Sequence, residues 1–112
     1  MDFQRPSNIP KHAASKMVAL VERGAPRDFR DIYATCRAGL TTPSQCWALW
    51  RQRQMLSGSD IDVTRARLAL QIHLERIALL RPLAQIANLE ERSDAEHLRN
   101  WFAEEFVNDA GN

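Results

Sequence analysis

Glycine and proline divide this 112-residue chain into short segments, and in each segment the apolar residues recur at the spacing of an amphipathic helix. Gly24-Ala25-Pro26, Gly39 and Pro82 mark the main breaks. Glycine commonly follows a helix C-terminus, and proline cannot continue a helix. Because this pattern leaves almost no room for strands, it predicts an all-α bundle of about five helices.

Capping residues help to place the predicted helices. Thr42 followed by Pro43 is a typical helix start, and either Asp62 or Thr64 is the expected cap of a long fourth helix. Ser93, with Glu96 three residues later, predicts a capping box for the last helix. The expected helices cover residues 12–23, 27–38, 43–55, 64–80, a short piece at 83–89, and 93–107.

The first eleven residues are expected to be an extended lead-in, because Pro6 and Pro10 disfavour a helix across them. Within this stretch, Asp2 to Arg5 is compatible with a short strand. The chain is therefore expected to form a single helical domain over residues 1–112. Its parts would be the lead-in at 1–11, a helical hairpin at 12–38, the remaining helices at 42–107 and a frayed tail at 108–112.

Each predicted helix has an apolar face that is expected to lie in the core. The candidate core residues are Ala14, Met17, Val18 and Val21; Phe29, Ile32, Tyr33 and Cys36; Cys46, Trp47, Leu49 and Trp50; Ala66, Ala69, Leu70, Ile72, His73, Ile77 and Leu80; and Leu98, Trp101, Phe102, Phe106 and Val107.

Length and composition set bounds on the class of protein. A chain of 112 residues has room for one domain and is cramped for an α/β enzyme with its own nucleotide site. It contains no apolar run of 18 residues and no signal-peptide-like start, so no membrane association is expected. The two cysteines make no disulfide framework, which is typical of a cytoplasmic protein with free thiols.

The net charge of +1 is unevenly distributed along the chain. Residues 1–60 have nine Lys and Arg against five Asp and Glu, whereas residues 61–112 have six against nine. Thirteen of the fifteen basic residues are arginine, which suits bidentate contact with phosphate. The basic half is compatible with an RNA or nucleotide partner, and equally with arginines on solvated helix faces.

Charged residues are densest around the first predicted helix break. This cluster consists of Lys16, Arg23, Arg27, Asp28, Arg30 and Asp31. A tight helical hairpin would let these groups converge, and cations beside a helix N-terminus favour a triphosphate. In the alternative interpretation, the two aspartates stabilise the helix N-terminus and the arginines are solvated.

The same stretch resembles a known family. Residues 16–33 read Lys-Met-Val-Ala-Leu-Val-Glu-Arg-Gly-Ala-Pro-Arg-Asp-Phe-Arg-Asp-Ile-Tyr. They resemble the third and fourth motifs of the AbiEii/AbiGii-type nucleotidyltransferase toxins of type IV toxin–antitoxin and abortive-infection systems. In that family a Lys-x-x-Ala-Leu helix precedes an Arg-Asp-Phe/Leu-Tyr-Asp motif, and Arg30 here stands where an aromatic residue is usual.

The resemblance implies transfer of a nucleotide from an NTP, with magnesium, to an acceptor such as tRNA. It implies that Lys16 contacts the nucleotide phosphates and that Asp28 is the catalytic residue, with Arg27 and Asp31 beside them in the nucleotide site. An antitoxin protein is the implied partner in such a system.

The family's magnesium ligands lie in an N-terminal Gly-Ser motif followed by Asp-x-Asp on a strand, and no such arrangement precedes Lys16 here. Gly58-Ser59-Asp60-Ile61-Asp62 has the right residue types but the wrong spacing, and it lies where a helix cap is expected. We therefore expect no metal site in this chain. The expected function is that of the helical C-terminal portion of such a toxin, inactive alone.

The alternative is a non-enzymatic helical module that binds RNA or protein through its arginine-rich half. The remaining chemistry-bearing residues are interpreted as structural. His12, His73 and His97 have no ligand spacing, and Cys36 and Cys46 are expected to be core thiols. An uncovered apolar face, including Trp47 and Trp50, would favour self-association.

Overall fold

The computed structural model describes the backbone of residues 4–108 and the side chains of residues 13–108. Its five helices are α1 (Gln4–Glu22), α2 (Pro26–Arg37), α3 (Pro43–Ser57), α4 (Val63–Leu80) and α5 (Leu89–Trp101). A 3₁₀ turn at Leu83–Gln85 precedes α5, and a π-helical turn at Phe102–Phe106 follows it. These described residues contain no strand, so the prediction of an all-α fold is confirmed.

The beginning of α1 differs from the prediction. Residues 4–11, expected to be extended, belong to α1, so the lead-in is wrong over that range. Asp2 of the predicted short strand lies outside the described residues, whereas Gln4 and Arg5 are helical. Pro6 falls in the first turn, where an N–H group would have no intrahelical acceptor. Only Pro10 therefore removes a hydrogen bond from the helix.

The predicted breaks and two of the predicted caps are confirmed. Gly24 follows α1 with a φ of 60°, and Gly39 follows α2 with a φ of 77°. The Thr42 hydroxyl caps α3 by accepting a hydrogen bond of 3.1 Å from the Gln45 backbone N–H. At the start of α4 the cap is Asp62 rather than Thr64.

The predicted start of the last helix is wrong. Asn88, not Ser93, caps α5, and its side-chain oxygen accepts a 3.0 Å hydrogen bond from the Glu91 N–H. Ser93 lies inside the helix. The guanidinium of Arg92 donates twice to the Ile86 carbonyl, at 3.0 and 2.9 Å. These two hydrogen bonds hold the chain extended at Ile86. The short helix predicted at 83–89 is therefore wrong, and only the 3₁₀ turn at Leu83–Gln85 is present.

Aromatic side chains form the centre of the core. The Phe102 ring packs edge-on against Phe29 of α2 with centroids 4.9 Å apart, and also contacts Trp101 and Phe106. Trp47 of α3 packs on Phe106 and donates a 3.0 Å hydrogen bond to its carbonyl. The C-terminal segment thus contacts both α2 and α3 through aromatic side chains.

The π-helical turn sets which C-terminal residues are buried. The Val107 N–H donates to the Phe102 carbonyl five residues earlier, at 3.0 Å. Residues five apart share a face in this geometry, so Phe102 and Val107 both point inward, and Phe106 is buried beside them.

Most of the predicted core is buried or half-buried, but α4 departs from the prediction. Ile72 and Leu80 are exposed, at 51% and 73%, whereas Ala66 and Leu70 are buried. Trp47 and Trp50 are buried in the core, so neither contributes to an uncovered face.

A close contact fixes α4 against the end of α1. His73 lies over Gly24, so closely that a Cβ atom at Gly24 would stand 2.3 Å from the imidazole ring. The His73 Nε2 lies 3.0 Å from the Val21 carbonyl, and Arg76 donates to the Arg23 carbonyl at 3.2 Å. Two carbonyls at the C-terminus of α1 thereby obtain partners from α4.

We expect Gly24→Ala to lower the free energy of unfolding by about 3 kcal/mol, through a strained backbone and displacement of His73. Gly39→Ala is the matched control, because its φ is also positive but no atom lies within 4 Å of the added methyl group. It should cost only about 1 kcal/mol. Urea denaturation measures the free energy of unfolding of both variants. Equal losses would contradict the role of the contact between Gly24 and His73.

Candidate functional site

The corner between α1 and α2 brings the predicted site residues together. A shallow pocket of about 350 Å³ is lined by Lys16, Arg23, Arg27, Asp28 and Asp31. The Gly24-Ala25-Pro26 turn folds the start of α2 back beside the last two turns of α1. All four residues assigned from the sequence, Lys16, Arg27, Asp28 and Asp31, therefore border one pocket.

Asp28 is the most constrained member of this pocket. Arg23 donates to both carboxylate oxygens, with Nε 2.9 Å from Oδ2 and Nη2 2.7 Å from Oδ1. The Ala25 N–H donates to Oδ2 at 3.0 Å. The hydrogen bonds from Arg23 are the main cause that lowers the pKa of Asp28, against the opposing effect of burial. Asp28 thus remains ionised and holds Arg23 across the turn.

The carboxylate of the second ion pair in the pocket, Asp31, is more exposed than that of Asp28. Lys16 Nζ lies 2.9 Å from Oδ2 of Asp31, and both side chains are about two-fifths exposed. An ion pair open to water contributes little to stability. The Lys16 ammonium can therefore exchange this carboxylate for another anion at low cost.

The N-terminus of α2 offers few hydrogen-bond donors to a ligand. Pro26 has no N–H group, and the N–H groups of Asp28 and Phe29 donate to the Ala25 carbonyl at 2.9 and 3.3 Å. Any attraction for an anion must come from the side chains. Three cations and two carboxylates line the pocket, which leaves one excess positive charge.

Arg27 is the cation best placed to bind a ligand directly. Its side chain is exposed, and no carboxylate among the described side chains lies within 4.0 Å of it. Arg30, which belongs to the same cluster in the sequence, instead lines a separate groove beside α5.

Arg23 is the charged residue of the pocket that the assignment from sequence left out, although it belongs to the charge cluster. The signal is its position five residues before Asp28, on the other side of the Gly-Ala-Pro turn. The assignment of Asp28 as a catalytic residue stays a prediction, since both of its oxygens are engaged within the chain.

In the Gly58–Asp62 stretch, the two aspartates form hydrogen bonds at the start of α4. Asp62 caps α4, while Asp60 accepts hydrogen bonds from Arg65 and from the Asp62 N–H. Over residues 13–108, no group of three His, Cys, Asp or Glu side chains is arranged to hold a metal ion.

The two cysteines and His73 have structural surroundings. Cys46 is buried and Cys36 half-buried, and both are free thiols. A hydrogen bond to Cys46 and burial raise the pKa of the Cys36 thiol. His73 packs on Gly24, and the side chain of His12 lies outside the described residues.

Comparisons with protein-family models, with curated proteins and with solved structures gave no match to this chain. None of the helices in the described part of the chain is both long enough and apolar enough to span a membrane.

We expect Asp28→Asn to lower the free energy of unfolding by about 2 kcal/mol, because it leaves Arg23 without its charged partner and weakens a buried hydrogen-bond network. Asp60→Asn is a closely matched control. Asp60 accepts the same set of bonds, from the Nε and Nη2 of one arginine and from a nearby backbone N–H, but is exposed. Asp60→Asn should lower the free energy of unfolding much less than Asp28→Asn does.

The pH dependence provides a second measurement on the same variants. The folded-state pKa of Asp28 is lowered, so its contribution is complete above the unfolded-state pKa of about 3.9 and disappears as the pH falls further. Asp28→Asn should therefore lose less stability than the unmodified protein on acidification from pH 6 to pH 3. If both proteins lost the same stability between pH 6 and pH 3, the assignment of a lowered pKa to Asp28 would be wrong.

Proposed function

We propose that this chain is the helical part of a nucleotidyltransferase-type site and binds the phosphates of an NTP at the α1–α2 corner. The observation that carries the proposal is the convergence of Lys16, Arg27, Asp28 and Asp31, with Arg23, on one pocket. The resemblance of residues 16–33 to two motifs of the AbiEii-type toxins supports the same interpretation.

In this proposal, Lys16 and Arg27 contact the ligand. Lys16 exchanges Asp31 for a phosphate oxygen, and the exposed guanidinium of Arg27 supplies a planar pair of donors. Asp28 acts as a positioning residue, because it holds Arg23 at the edge of the pocket through two hydrogen bonds.

Nucleotidyl transfer also requires carboxylates that hold magnesium against the phosphates. The proposal therefore assigns that task to a second polypeptide segment or domain carrying the Gly-Ser and Asp-x-Asp motifs. In this interpretation the chain binds a nucleotide but needs that partner to transfer it, with tRNA as the acceptor class.

We expect Lys16→Ala to weaken NTP binding about tenfold, since one charge-assisted hydrogen bond to phosphate is lost. Asp31→Asn should strengthen it, because the substitution frees Lys16 and removes a negative charge. Equilibrium dialysis with each of the four labelled NTPs measures both changes.

Arg51→Ala is the control for general charge attraction, since Arg51 is exposed on α3 and does not line the pocket. It should leave the affinity nearly unchanged. Equal weakening by Lys16→Ala and Arg51→Ala would count against the pocket, and weaker binding by Asp31→Asn would assign that carboxylate a direct role with the ligand.

We expect the chain alone to transfer no label from NTPs to total tRNA in the presence of magnesium. The reason is that residues 13–108 bring no carboxylate cluster to the pocket beyond Asp28 and Asp31, both of which are paired with cations. Gel electrophoresis of the RNA gives the readout. Transfer that Asp28→Ala abolishes would show instead that this chain is itself a complete enzyme.

The second candidate function is non-enzymatic binding of RNA or protein. The exposure of Arg27, Arg30, Arg37, Arg51 and Arg53 favours it, since these side chains offer a basic surface spread over α2 and α3. RNA affinity that falls steeply with salt, and that NTPs do not compete away, would favour this candidate over the first.

Further partners follow from the surface of the molecule. Leu68, Ile72 and Leu79 lie on one exposed stripe of α4, which is available for self-association or for an antitoxin-like protein. The free thiols fit a cytoplasmic location, which is part of this proposal.

A further inference from the structure

A second, larger cavity lies on another side of the bundle. It is an open groove of about 660 Å³ between α2, the C-terminal half of α4 and α5. None of its lining residues borders the α1–α2 pocket. The groove therefore does not overlap the NTP site proposed above.

The floor of the groove is apolar. Phe29 and Tyr33 come from α2, Leu74 and Ile77 from α4, and Leu98 from α5. All of these except Phe29 are only partly buried, although they pack against the core. A ligand with an apolar body would cover surface that the fold leaves open to water.

The rim of the groove is rich in arginine. Arg30, Arg37, Arg81 and Arg99 line it, and no carboxylate among the described side chains lies within 4.0 Å of any of them. Glu91 and Asp94 also line the groove. Four cations against two carboxylates leave two excess positive charges, not counting His97.

Two of these arginines are neighbours at one end of the groove. Arg99 is half-buried and donates a 2.9 Å hydrogen bond from Nη2 to the Arg81 carbonyl. Burial, and to a lesser extent the positive charge of Arg81, lower the pKa of Arg99. An anion placed between the two guanidinium groups would relieve their mutual repulsion and replace lost hydration.

We propose that this groove binds an amphiphilic anion, with an apolar body on Leu74, Ile77 and Leu98 and an oxyanion between Arg81 and Arg99. The charge of the rim selects the acidic group, and the apolar floor selects against a small inorganic ion. A carboxylate and a phosphate share the required chemistry, so both belong among the probes.

Isothermal titration calorimetry on the full chain tests the proposal with four probes. 1-Naphthyl phosphate and 1-naphthoate carry both parts of the ligand, 1-naphthol lacks the anion, and inorganic phosphate lacks the apolar body. We expect each of the two complete probes to bind at least about tenfold more tightly than either partial probe, as for the loss of one charged or apolar contact. If 1-naphthol bound as tightly as the two complete probes, the arginines would have no role in binding and the proposal would be overturned.

Arg81→Gln is the decisive variant, because it removes the charge but keeps the backbone carbonyl that Arg99 uses. It should weaken 1-naphthyl phosphate about tenfold, whereas Arg51→Gln, an exposed arginine outside the groove, should have little effect. Equal weakening by both variants would show general charge attraction and overturn the proposal.

Ala95→Phe provides a second variant that does not depend on charge, since Ala95 lines the groove and a phenyl ring would fill part of it. It should abolish binding of both complete probes while circular dichroism still shows a helical fold. Undiminished binding would overturn the proposal. Lys16→Ala should leave binding of these probes unchanged, which separates this site from the NTP pocket.

Discussion

The aromatic cluster at the C-terminal end of the chain joins helices of the bundle that are far apart in the sequence. Phe102 packs against Phe29 of α2, and Phe106 packs against Trp47 of α3. The hydrogen bond from Trp47 to the Phe106 carbonyl joins residues 59 apart in the sequence. Large aromatic rings supply much of the apolar burial in a protein core. The aromatic cluster also packs against α2, which carries Arg27, Asp28 and Asp31 of the candidate NTP site.

The candidate site depends on how α1 and α2 meet, and two interactions control that meeting. His73 fits over Gly24 and its Nε2 is hydrogen-bonded to the Val21 carbonyl, while Arg76 donates to the Arg23 carbonyl, so α4 is packed against the end of α1. Arg23 and Asp28 then join the two sides of the turn. Because Arg23 is bound to the buried Asp28, the NTP proposal relies on the exposed Arg27 and on Lys16, whose partner Asp31 is open to water.

The arginines divide between two separate surfaces once the chain is folded. Arg27 lines the corner pocket, while Arg30, one turn further along α2, lines the groove beside α5. The two proposals therefore rest on different residues and different ligand chemistry. One surface is small and polar, suited to phosphate oxygens, and the other combines cations with an apolar floor.

Local chemistry alone determined much of this protein. The helix breaks at Gly24 and Gly39 and the caps at Thr42 and Asp62 follow from residue types a few positions apart. Such features are readable because turns and caps are made by neighbouring groups.

Tertiary contacts decided the rest. Asn88 caps α5, and the hydrogen bonds from Arg92 to the Ile86 carbonyl are compatible with a helix that starts there rather than at Ser93. Ile72 and Leu80 of α4 are exposed in the described structure. The groove between α2, α4 and α5 joins residues that are far apart in sequence, so only the packing of the helices could reveal it.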